Sequence, residues 1–228
     1  MQHRLQGYAI LQGRGLEIGA LHQPALVPET CEILYCDAIS KEEAIQYFPE
    51  VDSSLFVNVD YICDLDKDGL SRFDNNQFDF VILNHVIEHV ANPVKVIQGL
   101  FRVVKMGGLV VISAPDKRYT CDVKRKNTSF EHLWNEYKLD ITEVTDEHYL
   151  DFLKGVHPEI LTNSSDGELS HHIEHVRRRR EHAHVWDSST FKSFLDECIA
   201  RFSISAERMY ESRAEDNLTE YFSVWKTS

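Results

Sequence analysis

The chain has 228 residues, a formal charge of −13, and 43% hydrophobic and 11% aromatic residues. That length and composition suit one sizeable globular domain and exclude a disordered chain. The acidic balance excludes a non-specific nucleic-acid binder, which needs a basic footprint, and no apolar run approaches the roughly 18–20 residues that span a bilayer.

Short apolar runs and helix-like segments alternate through the first half. The runs are Gly15–Ile18, Ile33–Cys36, Val57–Cys63, Phe78–Leu83 and Leu109–Ser113. Several are apolar on consecutive residues, as in parallel strands covered on both faces. Ser40 is placed to cap a helix over "KEEAIQYF", with Glu42 and Glu43 in its favourable first turn. Asn92-Pro93 opens another helix as cap and first helical residue, and its expected end is Lys105, before Gly107-Gly108. From Asp116 to about His184 the alternation stops in favour of helices and polar loops. It resumes with a helix capped by Ser188-Ser189, then "FSISAERMY" and "EYFSVWK" as strands. The link "ESRAEDNLT" carries no helical apolar pattern, so these two strands are expected to pair antiparallel. The five cysteines include no CxxC pair, and "MQHRLQGYAI" lacks the layout of a signal peptide. The expectation is a reduced, cytoplasmic protein.

Ligands of such sheets bind beyond the carboxyl ends of the strands. Glu17-Ile18-Gly19 follows the first run, Asp37 the second, Asp64 the third, Asn84-His85 the fourth and Ala114-Pro115-Asp116 the fifth. Asp37 lies about 20 residues past the Gly19 turn, the spacing at which an acid meets a ribose diol. The glycines of a phosphate loop are missing, with Leu21 and Gln23 in their place. A carboxylate at Glu17 would repel a dinucleotide pyrophosphate but attract the ammonium and sulfonium of S-adenosylmethionine.

"LEIGA", "YCDAIS", "CDL", "NNQFDFVILNHVIEHVANP" and "RVVKMGGLVVISAP", in that order, resemble the class I S-adenosylmethionine-dependent methyltransferases of the type 11 domain kind. The resemblance covers roughly residues 10–115, and the "FDFVILNHVIEHV" block with "GLFRVVKMGG" is its most specific part. The later "PDKRYT", "EHLWNEY" and "HAHVW" are similar to a bacterial subgroup often found among genes for surface polysaccharides. It implies an α/β, Rossmann-like, mostly parallel seven-stranded sheet ending in an antiparallel hairpin. Residues 1–228 would form a single domain, with a helical insertion over 116–184 as lid of the acceptor site. It also implies S-adenosylmethionine as cofactor and O- or N-methylation of a small-molecule or glycan-like acceptor. Glu17 and Gly19, flanked by Ile18 and Ala20, would face the methionine portion. Asp37 with Ala38 would meet the ribose, Asp64 with Leu65 the adenine, and Asn84 and His85 the sulfonium side. The family's loop is commonly Glu/Asp-x-Gly-x-Gly-x-Gly, of which only Gly19 remains.

If the acceptor is a hydroxyl, a general base is needed, and histidine titrates in the right range. His85 is the first choice and His184 the second. Asp116, Lys117, Arg118, Tyr119 and Trp186 are the expected acceptor-binding residues. His85, Glu88 and His89 stand at i, i+3 and i+4, so a helix would gather them as metal ligands. Some related methyltransferases hold a divalent ion with this block but carry Glu where His85 stands. The reading taken is no metal, with Glu88 and His89 bonded into the scaffold and His85 facing substrate. The four arginines 177–180 read first as a solvated helix face partnered by Glu174 and Glu181, and second as an anion-receiving lid. A non-catalytic S-adenosylmethionine-binding protein is the alternative. An NAD-dependent oxidoreductase is disfavoured by Glu17 and by the lack of a Tyr-x-x-x-Lys set.

Overall fold

The computed structural model describes residues 2–228. A helix α1 (Gln2–Tyr8) precedes β1 (Arg14–Ile18). Then follow β2 (Glu32–Asp37), α2 (Lys41–Tyr47), β3 (Tyr61–Ile62), β4 (Phe78–Asn84), α3 (Pro93–Val103) and β5 (Val104–Pro115). Helices α4 (Phe130–Lys138), α5 (Asp146–Val156), α6 (Pro158–Asn163) and α7 (Asp166–Arg178) fill the interval before α8 (Ser188–Arg201). β6 (Ala206–Ser212), the one-turn α9 (Ala214–Asn217) and β7 (Glu220–Thr227) close the fold.

The strands form one seven-stranded sheet in the order β3-β2-β1-β4-β5-β7-β6. The first five strands run parallel, while β7 pairs antiparallel with both β5 and β6. This is the expected Rossmann-like sheet. Its central strand explains the consecutive apolar residues. Val81 and Leu83 of β4 pack on the side of α3, with Val94, Ile97 and Leu100. Phe80 and Ile82 face the other side, where Tyr8 and Leu11 cover them together with Phe222 and Val224. Both faces are therefore dry, and no polar alternation is left for a sequence pattern to show.

Several local expectations are corrected. β3 is only two residues long, because the N–H of Val57 goes to the Leu21 carbonyl instead of a strand ladder. α3 ends at Val103 rather than Lys105, and the Gly107-Gly108 pair lies inside β5. There the register with β4 jumps between Phe78 and Phe80. Gly107 takes φ +79°, and a Cβ on Gly108 would stand 2.7 Å from the Asp79 carbonyl, so the irregularity needs both glycines. α8 is capped by Asp187, which accepts from the Thr190 N–H at 2.9 Å, not by the serine pair. The link between β6 and β7 contains the one-turn helix α9, although the antiparallel pairing holds.

Helices α5 and α7 pack on a cluster of their own, formed by Val144, Tyr149, Phe152, Leu153 and Val176 with Ala91 and Ala183. Buried Arg125 fastens that cluster to the chain on either side. It donates to Asp122 and Asp151, each at 2.8 Å, and to the carbonyls of His182 and Ala183. No helix among the described residues is long and apolar enough to cross a membrane.

Candidate active site

Strand order reverses between β1 and β4, and a cleft of about 330 Å³ opens beyond their carboxyl ends. Of the expected cofactor residues, Ile18, Gly19, Asp37, Ala38, Leu65 and His85 line it. Apolar Ile39, Val86 and Val90 add to its walls.

The turn after β1 works without the usual glycine series. Gly19 takes φ +71° and donates its N–H to the Cys36 carbonyl at 2.9 Å. Leu21, where a further glycine would stand, takes the left-handed conformation at φ 47°. Asp37 sits at the end of β2, where burial raises its carboxyl above the ordinary range against the opposing Ile39 and Ala38 N–H groups.

Glu17, Ala20, Asp64 and Asn84 do not line the cleft. Glu17 is 2% exposed, and both its oxygens accept from the Ala25 N–H at 3.0 Å. Burial pushes its carboxyl up to about 7. Asn84 donates to the Tyr8 hydroxyl at 2.8 Å and accepts from Ser113 at 3.0 Å. Asp64 is held by Arg180, whose guanidinium reaches it at 2.5 Å. Burial opposes ionisation of Asp64, yet that pairing leaves its carboxyl below the ordinary range.

His85 lines the cleft with φ 53°, a conformation a non-glycine residue holds only where its surroundings enforce it. Its Nε2 meets Glu220 Oε2 at 2.7 Å. Glu220 is fully buried at the start of β7 and also accepts from Arg4 through Oε1 and Oε2 and bonds His3. Burial pushes that carboxyl up, but these partners hold it well below the usual range. Neither Glu220 nor α1 was visible as a site element in the sequence, since the contact spans 135 positions.

The acceptor-side expectations fare differently. Asp116 is buried and bonded to Arg118 and to the backbone and hydroxyl of Ser188, which makes it a joint between β5 and α8. Lys117 donates to the Arg125 carbonyl, and Tyr119 is exposed. Trp186 is 1% exposed and packs against Phe191 and Phe194. His184 is also buried, among His132, His148 and Glu136, where burial lowers its basicity well below the ordinary value. None of these residues lines the cleft; the arginine tract does. Arg178, Arg179 and Arg180 line its mouth beside Glu181 as a strap, while Arg177 pairs with Glu174 and Arg179 with Glu181, the partners expected of a solvated face. Arg180 takes φ 50° just past α7, turning the strap toward Asp64. His85 also stands apart from Glu88 and His89, which gather with His182 instead.

The profile of the methyltransferase domain matches residues 5–198. The chain belongs to the methyltransferase-domain family. Its cofactor is S-adenosylmethionine, and the residues fit that molecule: apolar walls for a flat base, Asp37 for a diol, and a turn free of side chain at Gly19. No curated protein sequence matches the chain. Among solved structures, an S-adenosylmethionine-dependent methyltransferase from Aquifex aeolicus superposes with TM-score 0.50 at 12% identity, covering 98% of this chain and 87% of the other. A protein assigned as a zinc-dependent alcohol dehydrogenase from Rhodobacter sphaeroides gives TM-score 0.57 at 13% identity, covering 100% and 90%. At such identities the shared feature is the fold alone. The CurJ carbon methyltransferase gives TM-score 0.48 at 14% identity; this methyltransferase domain is covered to 98% but spans only 51% of that chain.

Proposed function

We propose that this chain methylates an oxygen or nitrogen of a polar small-molecule or glycan-like acceptor, with His85 as the general base. The observation that carries the reading is the His85–Glu220 pair, in which a cleft-lining imidazole is oriented at 2.7 Å by a buried carboxylate. S-adenosylmethionine supplies an electrophilic methyl group bound to a sulfonium. The cleft aligns it with the acceptor, and alignment provides most of the acceleration of such a displacement. His85 takes the acceptor proton, while Glu220 holds the ring in place. Residues 116–184 act as the lid of a single domain, and the arginines 178–180 at the mouth suit an acceptor bearing carboxylate or phosphate groups. A cytoplasmic, reducing setting belongs to the same reading, since all five cysteines are free thiols.

Calorimetric titration with S-adenosylhomocysteine and with NAD tests the cofactor, and transfer of labelled methyl to fractionated cell extracts tests the reaction. Binding of S-adenosylhomocysteine only, and label in a polar low-molecular-weight or saccharide fraction, are expected. Tight NAD binding would remove the reading, and cofactor binding with no label transferred to any fraction would favour a non-catalytic binding protein.

A further inference from the structure

Away from the cleft, three histidines and one glutamate converge inside the lid. His132 and Glu136 stand one turn apart on α4, His148 lies in the first turn of α5, and His184 comes from the segment leading to α8. Their ligand atoms all lie within 4.8 Å of one another. Glu136 Oε1 is 3.1 Å from Nε2 of His132 and 3.1 Å from Nε2 of His148, and those two nitrogens are 3.0 Å apart. Glu136 Oε2 is 3.7 Å from His184 Nε2. Ligands about 2.0–2.1 Å from a tetrahedral zinc ion stand about 3.3 Å from one another. The observed spacings bracket that value.

Hydrogen bonding alone leaves the cluster incomplete. The bond between them serves His132 and His148, but Oε2 of Glu136 and a ring nitrogen of His184, whose ring has only the Val90 carbonyl to answer it, are buried with no hydrogen-bond partner. Orphaned groups of this kind cost on the order of 1–3 kcal/mol each. The shell behind the cluster also suits a metal. Thr145 Oγ1 accepts from His148 Nδ1–H at 2.9 Å in the tautomer that leaves Nε2 free to ligate.

We infer that His132, Glu136, His148 and His184 bind one divalent transition-metal ion, zinc by their ligand set, as a structural clamp of the lid. Four protein ligands fill a tetrahedron and leave no open position for an activated water. The ion would join α4, α5 and the segment of His184, adding to the packing and to the Arg125 hydrogen bonds that already tie α5 to that segment. The clamp reaches the cleft through the backbone, because the N–H groups of Ala183 and His184 both donate to the Glu88 carbonyl, next to cleft-lining His89.

The test uses the full chain, stripped with a chelator and then titrated with Zn²⁺ or with Co²⁺. One equivalent of either is expected, and Co²⁺ should give the intense visible absorption of a tetrahedral site. His132→Ala is the main variant, since its side chain is 47% exposed. It should abolish stoichiometric binding and the cobalt spectrum, while Thr145→Ala should weaken binding about 10- to 100-fold. His89→Ala should leave both metals bound, which separates this site from the neighbouring Glu88, His89 and His182 group. Absence of binding by the wild-type chain would overturn the inference. So would binding that survives in His132→Ala, or that is lost in His89→Ala alone.

Discussion

Arg180 reaches across 116 positions of sequence to place its guanidinium 2.5 Å from the carboxylate of Asp64. Arg180 stands just past α7 and Asp64 just before the turn that follows β3, so the pair ties the arginine strap to the carboxyl edge of the sheet beside the cleft. The contact is partly exposed, which limits its worth to about 1 kcal/mol. Arg180→Ala should therefore speed S-adenosylhomocysteine release about fivefold, as read by stopped-flow fluorescence. An unchanged release rate would mean that the strap does not retain the cofactor.

Removing the base should separate binding from chemistry. His85→Ala is expected to lower methyl transfer by about 10²- to 10⁴-fold while leaving S-adenosylhomocysteine affinity within a few-fold of wild type. Equal losses in both would place His85 in cofactor binding instead.

Glu220→Gln tests the hub from the other side. It leaves Arg4 and two histidines without their shared buried anion, at a cost of about 3–5 kcal/mol in urea unfolding. A loss below about 1 kcal/mol would show that the anchoring of α1 to β7 does not depend on that charge.

Glu17 makes the fold more stable in mild acid than at neutral pH. Its carboxyl is raised from 4.5 to about 7, first by burial. Between those values the folded chain keeps a proton that the unfolded chain has released, so this group's contribution to stability falls as pH rises from 4.5 to 7. The fall approaches about 3 kcal/mol. Glu17→Gln keeps an acceptor for the Ala25 N–H and should flatten that part of the profile, measured as denaturant midpoints at pH 5 and pH 7.5. A variant with the wild-type slope would mean that Glu17 is ionised in the folded state throughout this range.

Gly19 is constrained twice over. Its φ is +71°, and an added Cβ would lie 2.4 Å from Cγ2 of Val86. Gly19→Ala should cost about 1–3 kcal/mol and weaken cofactor binding. Adding Val86→Ala should recover only the steric part. Full recovery would show that the backbone conformation carries no penalty.

The strand ends were legible because their signals are local. An apolar run followed by glycine or an acid marks where a parallel strand stops, and six of the expected cofactor residues do line the cleft. Which acids face it was not legible. Glu17 and Asp64 occupy strand-end positions like that of Asp37, but Ala25 N–H and Arg180 engage them. The arginine tract was legible in part, since Arg177 pairs with Glu174 and Arg179 with Glu181 as expected, but the reach of Arg180 to Asp64 was not. Helical spacing spreads four arginines around an axis, yet α7 ends at Arg178 and Arg180 turns back at φ 50°.

By itself, then, the sequence determined the alternating elements, the parallel sheet with its antiparallel close and the Gly19 turn, since these follow from short-range periodicity and turn chemistry, and its motifs carried the resemblance to the family. Tertiary structure alone decided the Glu220 anchor of His85, the strap from Arg180 to Asp64, and the meeting of His184 with α4 and α5. Each joins segments far apart in the chain, and only folding brings their side chains within bonding distance.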